Sequence, residues 1–364
     1  ISIEAFINSI PRSQSCTNWA TIDMTKFLQH DSIAQTWLKG EYVTYWGLTW
    51  SAISLVLYLN FSIIAPNNAH APWFILTITG FEEIGLLIAG CLCLRNWWSK
   101  CIPHNRTVWL WLAIAMFAFL IGNLWFCLWE VLWRLDPSAS AGDPFFVIFY
   151  LVLIAGIRLL IIDRDLQLTR QQWLSVLGIA AVGLIVSSSL TTFSARAELP
   201  VTVNPIVSLQ VQSAAPQQIL SEREARSEIS PPTIPSQIAV KPKKLQPTWV
   251  LQIDRAMQPL IGTFNLFYII GDLVLLIFAA ILYFGFQHNP LGLPWRLTAQ
   301  AVLCFYIADT WFAYANNRVQ GYQSGFIMEV FWIFGIVQFG IAAALEFDNS
   351  IRARRLARRR TAIK

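Results

Sequence analysis

The chain has 364 residues, of which 55% are hydrophobic, 14% aromatic and 13% charged, with a formal net charge of +5 and a mean hydropathy of +0.51. Soluble domains carry roughly 25% charged residues, so this composition excludes an ordinary soluble protein and predicts an all-α, polytopic membrane protein. It implies membrane lipids as surroundings and no nucleic-acid partner.

Residues 1–40 come first, with "TIDMTKFLQ" and "DSIAQTWLKG" of mixed amphipathic character. They are expected to lie as short helices along the inner membrane surface. Apolar runs close to the ~20 residues that a helix needs to cross a bilayer follow near 43–65, 73–97, 108–133, 144–162, 173–195, 261–286, 296–315 and 323–346. These predict eight transmembrane helices as two parallel four-helix repeats, spans one to four forming the first half within 41–195 and spans six to eight (249–348) pairing with span five to form the second. Residues 196–248 join the halves and are rich in Pro, Ser and Gln, as expected of an external linker without a packed core. A basic tail, 349–364, closes the chain with "RARRLARRR".

Short cytoplasmic loops collect Lys and Arg. "RNWWSKCIPHNR" follows span two and "RDLQLTR" follows span four, whereas "NNAHAP", "RLDPSASAGD" and "NNRVQGY" hold at most one basic residue each. Both termini are therefore expected in the cytoplasm and the linker outside.

Cys91, Cys93, Cys127 and Cys304 fall in apolar runs, while Cys16 and Cys101 lie in segments expected in the cytoplasm, so all six read as free thiols. No histidine pair accompanies "CLC" at ligand spacing, and His30, His70, His104 and His288 all lie outside the apolar runs. No metal and no cofactor is implied. "HExxH" and "GxSxG" are absent and no span holds a histidine base, which points away from an enzyme.

Spans two to four resemble spans six to eight at a separation close to 190 residues, drifting slightly across loops. "FEEIGLLIAGCL" answers "IIGDLVLLIFAAIL", setting Glu83 opposite Asp272. "FLIGNLWFCLWE" answers "CFYIADTWFAYAN", setting Asn123 opposite Asp309 and Glu130 opposite Asn316. "DPFFVIFYLVLIAG" answers "EVFWIFGIVQFGIA", setting Asp143 opposite Glu329. With four spans in each half the repeat is expected to be parallel, its pseudo-two-fold along the membrane normal.

A charged group at the bilayer centre costs at least ~2.5 kcal/mol and normally faces protein or water. Glu83, Asn123, Glu130, Asp143, Asp272, Asp309 and Glu329 all fall in the outer half of their spans, so they are the candidate ligand-binding residues. Tyr268 and Asn265 share helical spacing with Asp272, as Tyr306 does with Asp309, and are expected as their partners. The competing reading is that these groups only join helices by hydrogen bonds.

"GDPFFVIFYLVLIAG", "IIGDLVLLI" and "IADTWFAYANNRVQGYQSGFIMEVFWIFGIVQFGIAAA" resemble the polytopic N-terminal sensory regions that precede bacterial diguanylate cyclases and sensor histidine kinases. The likeness covers roughly two thirds of the chain. It implies a signal receptor in a bacterial cytoplasmic membrane, with Asp143, Asp272, Asp309 and Glu329 at the family's polar positions. No "GGDEF" signature or kinase nucleotide-binding segment occurs in the 364 residues, so the implied output lies in further sequence or in a cytoplasmic signalling partner.

Three functions are compatible with these features. The first is a non-enzymatic receptor or sensor-like protein with an outward-facing polar site between two helical halves. The second is a structural or assembly subunit of a larger photosynthetic or respiratory membrane complex, its 17 Trp packing against other subunits. An ion-coupled transporter is the third, supported by Gly85 and Gly271 beside the acids.

Overall fold

In the computed structural model, residues 39–62, 70–99, 102, 106–135, 139–197, 246–318 and 322–362 are described. The expected surface helices before residue 39 and most of the 196–248 linker lie outside them. Among the described residues the fold is helical, without strands. The helices are α1 (Gly40–Phe61), α2 (Pro72–Trp98), α3 (Arg106–Cys127), α4 (Asp143–Asp163), α5 (Arg170–Ala197), the short α6 (Thr248–Met257), α7 (Ile261–Gly285), α8 (Leu293–Arg318) and α9 (Val330–Ala362).

Local chemistry sets several boundaries. Pro72 and Pro144 stand in the first turns of α2 and α4, where a missing N–H costs nothing. A 3₁₀ turn, Gln258–Leu260, joins α6 to α7, so the continuous helical stretch begins at Thr248, well before the apolar run. The Asn289 side chain accepts from Leu291 N at 2.9 Å and tightens the link between α7 and α8. α3 continues into a π turn, Leu128–Leu132, closed by Trp133 N donating to Leu128 O at 3.1 Å.

Among the described residues, six helical stretches are long and apolar enough to cross a membrane: Pro72–Trp98, Arg106–Leu132, Asp143–Asp163, Arg170–Ser189, Thr248–Gly285 and Ile327–Leu356. The chain thus has the character of a multi-pass membrane protein. Of the other two expected spans, 43–65 overlaps α1 and 296–315 falls within α8, helices of 22 and 26 residues. At 1.5 Å per residue both are long enough, but α1 is diluted by Thr, Ser, Tyr and Trp, and α8 by Arg296, Gln300, Asp309, Asn316 and Asn317.

Six helices close a ring in the order α2, α3, α4, α7, α8, α9, with α9 returning to α2. α3 and α8 stand opposite each other in that ring, and aromatic pairs fill the gap between them. Trp109 meets Trp295 at 5.2 Å between ring centroids, Phe119 meets Phe305 at 5.2 Å, and Phe126 meets Phe312 at 5.8 Å. Contact in this order makes α3 and α8 run parallel. Around them pack Met116, Phe149, Leu153, Phe339 and Ala342, all buried.

α1 and α5 sit outside the ring. α1 lies on α9, where Gly40 N donates to Asp348 Oδ2 at 2.7 Å. α5 lies on α7, and Gln172 Nε2 donates to Phe284 O at 3.2 Å. The first helices of the two expected four-helix halves therefore dock differently, α1 on the last helix of the second half and α5 on the second-half helix that comes after it.

Close packing makes a direct test. A Cβ on Gly335 would stand 2.7 Å from the Phe305 ring and 2.9 Å from the Ala301 carbonyl, whereas one on Gly80 meets nothing within 4 Å. Gly335→Ala is expected to destabilise by about 1–3 kcal/mol through overpacking, and Gly80→Ala to stabilise by up to ~1 kcal/mol through helix propensity. Denaturant unfolding in detergent reads both.

Candidate functional site

Two polar networks occupy the same end of the ring, where α2, α4, α7 and α9 begin and α3 and α8 finish. The first centres on Tyr150 of α4, two turns beyond Asp143. Its hydroxyl lies 2.5 Å from Asp272 Oδ1 on α7 and 2.8 Å from Asp309 Oδ2 on α8. A phenol carries one hydrogen, so both contacts become hydrogen bonds only when one carboxyl carries a proton and donates it to the phenol oxygen. Asp309 Oδ1 accepts from the Trp332 indole of α9 at 2.8 Å.

Asp143 opens α4 and fixes the preceding turn, its Oδ2 accepting from Ser140 N at 2.6 Å. Its Oδ1 accepts from the Tyr268 hydroxyl of α7 at 2.6 Å. The absence of a side chain at Gly271 admits Tyr150, whose ring stands 2.7 Å from where a Cβ would be. A larger residue beside Asp272 would push the phenol away from both acids.

The second network gathers residues of α2, of α3 and its π turn, and of the segment 322–329 that leads into α9. Asn123 Nδ2 donates to Glu82 Oε2 at 3.0 Å. Glu130 lies in the π turn, and its Oε1 accepts from Ser324 N at 2.8 Å. Glu329 Oε2 accepts from Gly325 N at 2.7 Å, and its Oε1 accepts from the Tyr322 hydroxyl. Gly325 has φ +125°, a conformation that glycine tolerates and L side chains rarely adopt. Glu82 and Glu130 are the carboxylates that act electrostatically on Glu329.

Of the seven residues predicted from sequence, Asp272 and Asp309 thus meet at Tyr150, Asp143 lies beside them through Tyr268, whose ring packs on that of Tyr150 at 5.6 Å, and Glu83, Asn123, Glu130 and Glu329 fall in or beside the other network. Glu83 keeps both carboxylate oxygens buried without a hydrogen-bond partner, and its neighbour Glu82 takes the Asn123 amide. The π turn separates Glu130 from the Asn123 face, because an extra residue per turn rotates the side chains beyond it. Tyr268 binds Asp143 rather than Asp272, Tyr306 donates to Gly183 O at 3.2 Å rather than to Asp309, and Asn265 is exposed.

Sequence reasoning does not single out Glu82, Tyr58, Tyr150, Tyr322 and Trp332. Each aromatic among them resembles packing residues in an apolar or loop segment. The spacing of seven residues from Asp143 to Tyr150 is the one available signal.

Among the described residues, no group of three or more His, Cys, Asp or Glu is set to hold a metal ion. The arrangement offers carboxyls, phenols and an amide in hydrogen-bonding reach of one another, groups that exchange protons or bind polar ligands. The chain matches no known protein family, curated protein or solved structure.

His70 flanks the second network, packed between Phe74 and Phe326 at 5.8 and 5.5 Å. Burial lowers its pKa below the ordinary value. The folded state therefore favours neutral imidazole, so its contribution to stability is complete above the unfolded pKa of about 6.5 and is lost as pH falls below it. Unfolding temperature should drop between about pH 7.5 and 5.5, and His70→Phe should flatten that part of the profile.

Proposed function

We propose that this chain is a non-enzymatic, receptor or sensor-like membrane protein that takes a small polar ligand or proton between two helical halves. The observation that carries the reading is that both networks are assembled across the halves. Tyr150 of the first half holds Asp272 and Asp309 of the second, Tyr268 of the second binds Asp143 of the first, and Glu130 of the first accepts from Ser324 of the second. A change of protonation or occupancy at such a boundary acts directly on how the halves meet.

The repeat belongs to the same proposal, with α2–α4 related to α7–α9 by a parallel pseudo-two-fold. Support comes from a single separation of 186 residues, which joins Trp109 to Trp295, Phe119 to Phe305 and Phe126 to Phe312, the three pairs that touch between α3 and α8. Self-related residues touch only near a two-fold axis. The same separation relates the approach of Tyr150 to Gly271 to that of Ile336 to Gly85, at 3.0 Å from its Cβ position. It keeps Asn123 with Asp309 and Asp143 with Glu329, but sets Glu82 opposite Tyr268 in place of Glu83 opposite Asp272.

In this reading eight helices cross a bacterial cytoplasmic membrane, both termini are cytoplasmic and the networks open outward. A cysteine placed within 196–248 should then react with an impermeant reagent from outside intact cells, and one after Ile351 should not. The reverse pattern removes the outward-facing site. Motion is tested by the distance between spin labels at Trp98 and Tyr283, which lie at exposed positions of α2 and α7. It should shift with pH in the wild type and not in Asp272→Asn with Asp309→Asn, whereas an invariant distance in both refutes coupling between site and halves.

A further inference from the structure

The two networks differ in how completely they satisfy themselves. In the Tyr150 network, Asp143 and Asp309 each have both carboxylate oxygens engaged. In the Glu82 network the Tyr58 hydroxyl has no hydrogen-bond partner although Tyr58 is fully buried, and the Glu83 oxygens and Ser324 Oγ are likewise buried and unpartnered. Buried polar groups in native proteins nearly always have a partner, so a concentration of unpartnered ones marks a place for something else.

The chemistry of the Glu82 network narrows what that is. Tyr58 lies near the carboxyls of Glu82 and Glu329, which act on its hydroxyl. Glu82, Glu130 and Glu329 are buried, at 6%, 9% and 1% exposure. Among the described residues, no Lys, Arg or His acts electrostatically on these three or on Glu83. Carboxylates without a counter-charge attract a cation, and among the described residues no three of them are placed to hold one metal ion together. Aromatic rings accompany the cluster: Tyr322, bonded to Glu329, stacks on Phe326 with centroids 5.4 Å apart, and Phe81, next to Glu82 in sequence, packs on Trp50 with centroids 4.3 Å apart. Carboxylates combined with aromatic faces recognise ammonium groups, through charge-assisted N–H donation and cation–π attraction.

We infer that the Glu82–Tyr58–Glu329 cluster binds a small protonated amine, its N–H groups donating to the glutamates and to the Tyr58 oxygen. The pseudo-two-fold counterpart around Asp143 and Tyr268 is closed by its own hydrogen bonds and takes no such ligand. This inference rests on the receptor reading and names the ligand class of its second network.

The test uses the full chain in lipid nanodiscs with methylammonium chloride as probe and sodium chloride at equal ionic strength as comparison. Methylammonium should raise the unfolding temperature saturably, as a ligand that binds only the folded state does. Tyr58→Phe and Glu83→Gln remove groups that have no partner in the fold, so both variants should fold normally. Each should nevertheless raise the half-maximal concentration about ten-fold or more, through loss of a charge-assisted contact. Glu329→Gln should abolish the effect, and Gly80→Ala should leave it unchanged.

An equal response to sodium, a full response to acid without amine, or unchanged midpoints in Tyr58→Phe and Glu83→Gln would each overturn the assignment. The spin-label distance separates the two levels. Methylammonium binding without movement of the labels leaves the amine site standing and sinks the receptor reading. Movement with pH but no amine binding does the opposite.

Discussion

Tyr150→Phe is expected to lower stability by about 3–5 kcal/mol, the loss of two hydrogen bonds to buried carboxyl groups at about 1.5–3 kcal/mol each. The phenol is the sole link between α4 and the acids of α7 and α8 that the hydrogen bonds of this network provide, meeting Asp272 and Asp309 at 2.5 and 2.8 Å. Phenylalanine fills the same space beside Gly271, so no cavity forms and the loss isolates the hydroxyl. Chemical denaturation in detergent measures it. Tyr268→Phe removes one hydrogen bond, to Asp143, and should cost only about 1–3 kcal/mol. If the two substitutions cost the same, Tyr150 is not the bridge between the acids, and the proton shared among the three groups has no structural basis.

The distinction between these tyrosines is only partly visible in the sequence. Asp272 and Asp309 stand out because a carboxylate interrupts an apolar run, a signal that needs no knowledge of neighbours. Tyr150 and Trp332 lie in runs where an aromatic side chain is ordinary, and their polar atoms become meaningful only when a second helix arrives. Spacing on one helix makes Tyr268 a partner for Asp272, but the ring of helices sets α4 beside α7, and Asp143 is the acid it meets.

Glu82 shows a different limit. Adjacent residues on a helix point about 100° apart, so only one carboxylate of "EE", that of Glu82, takes the Asn123 amide of α3. A separation that drifts near 190 chooses Glu83, while the aromatic contacts between α3 and α8 choose 186 and with it Glu82. Hydropathy is enough to locate the helices, because the cost of exposing polar backbone in lipid makes apolar length a strong constraint. It says nothing of which helix lies on which. The docking of α1 on α9 and α5 on α7 comes from packing surfaces, not from the period of the sequence.

Trp109→Ala and Trp295→Ala should each destabilise by about 3–5 kcal/mol, the usual loss for a large aromatic removed from a packed core. Both side chains are almost fully buried, at 0% and 1% exposure, and their rings meet at 5.2 Å. Under the pseudo-two-fold they are copies of one position and should cost nearly the same. Because they share one contact, the double substitution should cost less than the two single costs added, by roughly 0.5–1.5 kcal/mol, the coupling typical of an aromatic pair. Phe126→Ala with Phe312→Ala should behave alike, since those rings meet at the other end of the same two helices. A large cost at one member of a pair and none at the other would mean that α3 and α8 are not equivalent, and the shared boundary on which both networks are built would lose its symmetry.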